Sequence, residues 1–241
     1  MAQSALPSEI KPITEAFARA LKEIYGDGLV SVVLYGSAAS GEFAGKSSNI
    51  NIAVILADTS LENLAKMKKV LGQHRFRLLD PIFFTEDYMK RSLDVFPVEF
   101  LDMKENHILA YGKDILGGLS VDVKNLRFQC EQELKSKLIN IKRLYLRTVS
   151  ASALKDLLFK SCTSSLHIMR NLIRMKGKTP PYAKTDILNG LEREFAIGTT
   201  AFRKVLDAKG GRVRLTKRGL EELFAAFVDE LEKVTLLVDR L

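Results

Sequence analysis

The stretch LYGSAASGEFAGKSSNINIAVIL, Leu34 to Leu56, decides how this chain is read. It opens inside a short β-rich run, LVSVVLY (29–35), which stops at Gly36-Ser37. A loop of small residues follows, and INIAVILA (50–57) starts a second run of the same kind. Short apolar runs rich in Val and Ile, bounded by glycine or polar turns, predict buried strands. Strand side chains alternate between faces, so Asn49 and Asn51 are expected to project together from one face of the second strand.

Working outward, residues 7 to 25 place Ile10, Ile13, Phe17, Leu21 and Ile24 at spacings of three and four, an amphipathic helix that GDG (26–28) ends. Downstream, SLENLAKMKKVLG (60–72) predicts a helix capped by Ser60. LLDPIFF (78–84) and PVEFLD (97–102) predict strands, with helical TEDYMKRSL (85–93) between them. Residues 1–118 therefore form an α/β (α+β) layer domain with a short mixed sheet. After Gly117-Gly118 the strand signals cease, and helical spacing runs through residues 131–149, 151–177, 183–197 and 218–241. Breaks at GKTPPYA (177–183) and DAKGGRVRL (207–215) make residues 119–241 an all-α bundle of four or five helices.

Composition bounds the possibilities. With 46% hydrophobic and 27% charged residues over 241 positions, the chain is an ordinary globular protein. It has no apolar run near the roughly 20 residues of a membrane span. MAQSALPSEIKPITEAF lacks the basic and apolar regions of a secretory leader, and a cytoplasmic location is expected. Cys130 and Cys162 fall in amphipathic helical sequence without metal-ligand spacing and read as buried thiols. His74, His107 and His167 are likewise too far apart for a zinc motif.

The net charge of +8 divides into −2 over residues 1–120 and +10 over 121–241, which suits a phosphate-rich partner for the second half. Two clusters carry much of it: Arg170, Arg174, Lys176 and Lys178 near a helix end, and Lys209, Arg212, Arg214, Lys217 and Arg218 around a glycine turn. Either could grip a nucleic-acid backbone, while helix-dipole complementarity and solvation explain them without a ligand. Tyr182 is the one aromatic beside them, so base stacking is thin.

Helix, strand, Gly-Ser, short loop, then S-x-I-x opening a strand resembles the nucleotidyltransferase domain of the DNA polymerase β superfamily. It is similar to kanamycin nucleotidyltransferase and the minimal nucleotidyltransferases. Gly36 and Ser37 match the family's Gly-Ser, and Ser48 matches the serine before its Asp-x-Asp. FPVEFLDMKENHILAYGKDIL resembles its third acidic strand and the segment after it. The likeness covers about residues 7 to 118, and the bundle in outline. It implies a nucleoside triphosphate as ligand and Mg²⁺ as cofactor. Gly36 lets the backbone approach a polyphosphate, and Ser37, Ser40 and Ser48 are candidate phosphate contacts. Glu99 is the expected third carboxylate and metal ligand, with Asp102 as fallback. Helical ribonuclease toxins that partner minimal nucleotidyltransferases carry Arg, then four to six intervening residues, then His. Upstream of His167 at that distance the stretch Lys160 to Ser164 has no arginine, which excludes that class.

The sequence departs from the family where two metal ions would bind, because Asn49 and Asn51 occupy the Asp-x-Asp positions. The amides keep the shape of aspartate and lose both charges. Mg²⁺ is a hard cation that favours carboxylates, and an amide accepts no proton near neutral pH. Three explanations compete: a degenerate protein retaining nucleotide or phosphate binding, an Asp→Asn exchange made to trap a complex, and an active Mg²⁺-dependent enzyme with displaced ligands such as Glu42, Glu99 and Asp102. An active enzyme would move a nucleoside monophosphate onto a small molecule, protein or RNA. The alternative from another class is an interaction module whose helical domain pairs with itself or a partner.

Overall fold

The structure, a computed structural model, describes residues 8–40 and 49–241. The chain falls into two compact units, Met1–Asp122 and Val123–Leu241.

In the first unit, α1 (Lys11–Tyr25) starts with Pro12 in its first turn, where a missing N–H costs nothing, and stops at Gly26, whose φ is +53°. β1 (Leu29–Tyr35) leads through Gly36 into the short α2 (Ser37–Ser40), and β2 (Ile50–Leu56) follows the loop. Ser60 caps α3 (Leu61–Ala65) by accepting from the Asn63 amide at 3.3 Å; α4 (Lys68–Leu71) follows as a separate turn. The single helix expected from Ser60 to Gly72 is thus two short ones. β3 (Leu79–Phe84), α5 (Glu86–Arg91), α6 (Pro97–Glu105) and β4 (His107–Gly112) complete the unit.

PVEFLD, expected as a strand, is the start of α6. Alternating Val98 and Phe100 imitate a strand, but Pro97 is preorganised for a first helical turn and Glu99 complements the helix N-terminus. The fourth strand is HILAYG instead, which the sequence reading leaves unassigned. It pairs so closely with β1 that a Cβ on Gly112 (φ +82°) would lie 2.0 Å from the Val30 carbonyl oxygen.

The four strands form a mixed sheet ordered β3-β2-β1-β4: β1 is antiparallel to β2 and β4, and β2 is parallel to β3. One face carries Val32, Leu34, Ile50, Ile52, Val54 and Ile108 against Phe17 and Leu21 of α1. The opposite face carries Val33, Ala53 and Ile55 against Met89, Phe100, Met103, Leu116 and Leu119. Burying each such aliphatic or aromatic side chain contributes roughly 1.5–3 kcal/mol, and β2 is buried from both sides from Ile52 to Leu56. That double burial is why INIAVILA reads as a continuous apolar run.

The second unit consists, among the described residues, of α7 (Val123–Tyr145), α8 (Ala151–Met175), α9 (Lys184–Phe195), α10 (Thr200–Lys209) and α11 (Lys217–Asp239). α8 packs against all four of the others, with Leu158, Leu166, Met169 and Leu172 fully buried. Gly190 permits the approach of α9, since a Cβ there would meet Ile173 Cδ1 at 2.7 Å. Phe202 of α10 meets Phe227 of α11 edge to face at 4.9 Å.

Candidate functional site

At one end of the second face of the sheet the apolar alternation gives way to polar side chains. Asn51 is the second residue of β2, half-buried, and pairs in register with Asp80 of β3, which is exposed. In a parallel pair such partners share a face. On the far side, Leu34 pairs with Ile52, so the same register carried one step further sets Tyr35 across from Asn51. Tyr35 in turn pairs with His107 of β4. A lateral row Asp80–Asn51–Tyr35–His107 therefore crosses all four strands, where Ile82, Ala53, Val33 and Leu109 continue the same face as core.

Gly36 closes the row from above. Its φ is +70°, and a Cβ built on it would come within 3.1 Å of Asn51 Nδ2. Both the backbone conformation and the close approach favour glycine at this position. The chain turns immediately into α2, with the Ala39 amide donating to the Gly36 carbonyl at 3.0 Å.

The electrostatics of the row are weakly anionic. Burial pushes the Tyr35 hydroxyl above its ordinary range, and the Asp80 carboxylate adds to that shift. At the other end, His107 is tethered twice. Its Nδ1 donates to the Lys104 carbonyl at 2.8 Å, and its Nε2 lies 3.0 Å from Asp114 Oδ1, which also accepts from the Gly117 amide at 2.8 Å. Contacts at both ring nitrogens fix His107 against the α6–β4 junction.

The residues expected from sequence meet different fates. Gly36 and Asn51 come together. Asn49 is exposed and directly precedes β2. Ser37 and Ser40 are the first and last residues of α2, while Ser48 and Glu42 lie outside the described residues. Glu99 is exposed in the first turn of α6, not on a strand beside β2, and Asp102 is half-buried on the same helix. The third-carboxylate role expected of Glu99 rested on a strand that does not form. Sequence reading missed Asp80, although it placed that residue on a strand. An acidic side chain at the mouth of a strand that could neighbour β2 was the available signal.

The arrangement does not fit a pair of magnesium ions. The row offers one carboxylate, Asp80, and the neutral amide of Asn51, with Asn49 adding a second amide just ahead of the strand. Mg²⁺ sites of this kind depend on several carboxylates bridging two ions. Among the described residues no group of three or more His, Cys, Asp or Glu could hold a metal ion.

The basic clusters are also redistributed. Arg170 and Arg174 lie near the C-terminal end of α8, as expected, but are only 4% and 7% exposed. The Arg170 guanidinium lies 4.1 Å from the Tyr182 ring centre and Arg174 bonds Asn171, so neither is presented to a nucleic acid. Lys178 pairs with Glu194 at 2.6 Å, Arg212 with Asp207 at 2.7 Å and Arg218 with Glu222 at 2.8 Å. No helix among the described residues is long and apolar enough to cross a membrane.

No family model matches the sequence, and no curated protein matches it. Among solved structures the chain is similar to the spectinomycin adenyltransferase AAD(9) from Enterococcus faecialis, crystallised with ATP and spectinomycin. The TM-score is 0.58 at 11% identity, over 94% of this chain and 100% of that one. The architecture is therefore a nucleotidyltransferase-like fold followed by a helical region.

Proposed function

We propose that this chain is a member of the nucleotidyltransferase superfamily that binds a nucleoside triphosphate at the Gly36–Asn51–Asp80 end of the sheet without transferring its nucleotidyl group. The observation that carries the reading is the neutral amide of Asn51, set between the Gly36 turn and Asp80. The shared fold with an enzyme crystallised with ATP supports the ligand class. The donor set supports the loss of transfer. Two-metal phosphoryl chemistry is almost entirely positioning and charge stabilisation, and a single carboxylate holds a pair of ions poorly.

The amides also change how phosphate is held. A carboxylate at position 51 would repel a triphosphate unless a cation bridged them. An Asn side chain carries two N–H donors and can bond phosphate oxygens directly. Binding through Asn51 therefore needs no bridging Mg²⁺, with Asp80 left at the edge of the row.

Calorimetry with ATP, GTP, CTP and UTP, in EDTA and in Mg²⁺, tests the proposal alongside a transfer assay with labelled triphosphates. The expected result is binding that survives EDTA and no labelled product. Turnover, or binding that requires Mg²⁺, overturns it. Absence of any binding favours the interaction module acting through the helical unit.

A further inference from the structure

Within the helical unit, α7, α8 and α10 enclose an open groove of about 620 Å³. One lysine from each helix lines it: Lys137, Lys160 and Lys209. We propose that this groove binds a phosphorylated small molecule, a phosphate monoester of sugar or polyol size, held by these three ammonium groups. The site is separate from the polar row of the sheet and does not rest on the reading given to that row.

The first argument is what the lysines touch. Elsewhere in the unit Lys135, Lys142, Lys178 and Lys233 each bond a carboxylate. In the groove, Lys137 Nζ donates to Ser164 Oγ at 2.8 Å and Lys209 Nζ donates to Thr163 Oγ1 at 2.8 Å. Those hydroxyls spend their own hydrogens on backbone carbonyls one turn earlier, Lys160 and Phe159 respectively, at 3.0 Å each. A hydroxyl so committed orients an ammonium without neutralising it, and each ammonium keeps two further N–H donors. The one acidic residue in the lining, Glu133, accepts from Gln129 at 2.8 Å. The groove therefore carries a net positive charge.

The second argument is partial desolvation. Burial holds the Lys137 ammonium below the ordinary lysine range, with Glu133 acting in the opposite direction. An anion beside that ammonium would recover the charge interaction that burial removes.

Size and lining then select the ligand. The volume falls in the range of small-molecule sites. Lys160, Thr163, Ser164 and His167 lie along one face of α8 at helical spacing, and among the lining residues His167 supplies the one ring. Single-stranded nucleic acid is gripped through aromatic platforms on which bases stack, and this groove offers none beyond that imidazole. A compact phosphate ester needs only the donors.

The test is titration calorimetry of the full chain with glucose 6-phosphate, inorganic phosphate and glucose at low salt. Glucose 6-phosphate should bind with a submillimolar Kd, phosphate more weakly, and glucose not at all. Lys160→Gln and Lys209→Gln should each weaken glucose 6-phosphate about tenfold, as loss of one charge-assisted contact does. Circular dichroism of each variant confirms an unchanged melting transition. The proposal is overturned if neither phosphate binds at about 10 mM, or if the glutamine variants keep full affinity. Loss of affinity on Asn51→Ala with the lysine variants unaffected puts the anion at the sheet and also overturns it. A parallel titration with a short oligothymidylate completes the test, and tighter lysine-dependent binding of it assigns the groove to a nucleic-acid backbone and also overturns the proposal.

Discussion

Restoring the charges with Asn49→Asp and Asn51→Asp should convert the polar row into a metal-responsive site, and the size of the effect follows from the sheet. Neighbouring strands lie about 4.8 Å apart, and position 51 is in register with Asp80. Two unit charges at about 5 Å repel by roughly 0.8 kcal/mol in water and roughly 3 kcal/mol at an effective dielectric of 20. Asp80 is exposed and position 51 half-buried, which sets the 51–80 pair between those limits. With a smaller contribution from position 49, the double variant should lose about 2 kcal/mol without metal. For a unit of this size that is a fall of roughly 6–10 °C in the melting midpoint. Mg²⁺ at about a hundred times its Kd would return about 2.7 kcal/mol by mass action. The assay is thermal melting at pH 7.5 in EDTA and then in Mg²⁺, on the parent chain and the variant. The parent should respond by less than about 1 °C. A parent that gains as much from Mg²⁺ as the variant refutes the conclusion that its donor set does not fit the metal. A variant that neither loses stability nor regains it refutes the assigned register of Asn51 and Asp80.

Three further outcomes follow from particular groups. Gly36→Ala places a Cβ 3.1 Å from Asn51 Nδ2 at a φ of +70°, and should cost about 1–2 kcal/mol in a chemical melt; an unchanged midpoint would deny the close approach. Burial raises the Cys162 thiol to about 12, so the native chain at pH 8 should resist a disulfide reagent that reacts at once in denaturant. Rapid modification of native Cys162 would contradict that burial. Glu192 is held below the ordinary carboxylate range chiefly by its hydrogen bond from Arg203, then by Thr199, joining α9 to α10. A depressed carboxylate stabilises the fold fully above its unfolded pKa and loses that contribution as pH falls through its folded value. Urea midpoints should therefore drop on acidification below about pH 4.5, and Glu192→Gln should flatten part of the drop; identical profiles for the two chains would remove Glu192 from the linkage.

Much of the architecture was legible because burial leaves a direct trace in periodicity. LVSVVLY and INIAVILA are apolar along their length because they are central strands covered on both faces. α8 declares itself through a stripe that meets four neighbours. The failures have physical causes too. PVEFLD alternates like a strand, but Pro97 and an acidic first turn favour helix, and tertiary packing of Val98, Phe100 and Met103 completes it. β4 ends in glycine and is mostly half-buried, so its signal lies in pairing with β1, which a linear reading does not contain. For the site, Gly36 and Asn51 were recognisable from local spacing. Asp80 was not, because its importance comes from strand order: only when β3 lies parallel to β2 does an acidic residue 29 positions away become the neighbour of Asn51.

That strand order also explains why an amide is a stable occupant at position 51. A metal-binding sheet must bring carboxylates together on adjacent strands, and without the cations their repulsion opposes the pairing that assembles the site. Here Asp80 faces a neutral Asn51, and Tyr35 on the other side keeps its proton because burial and the Asp80 charge both disfavour the phenolate. The one carboxylate of the row, on the edge strand, thus has a neutral amide and a protonated phenol as its successors along the row instead of further anions. Both carry N–H or O–H donors that a phosphate approaching past Gly36 could accept from. Under the proposed reading, weak metal affinity and low repulsion in the sheet are therefore two consequences of having an amide in place of a carboxylate at position 51. The melting experiment with restored aspartates measures both, since the stability lost in EDTA and the response gained in Mg²⁺ must appear together in the same variant.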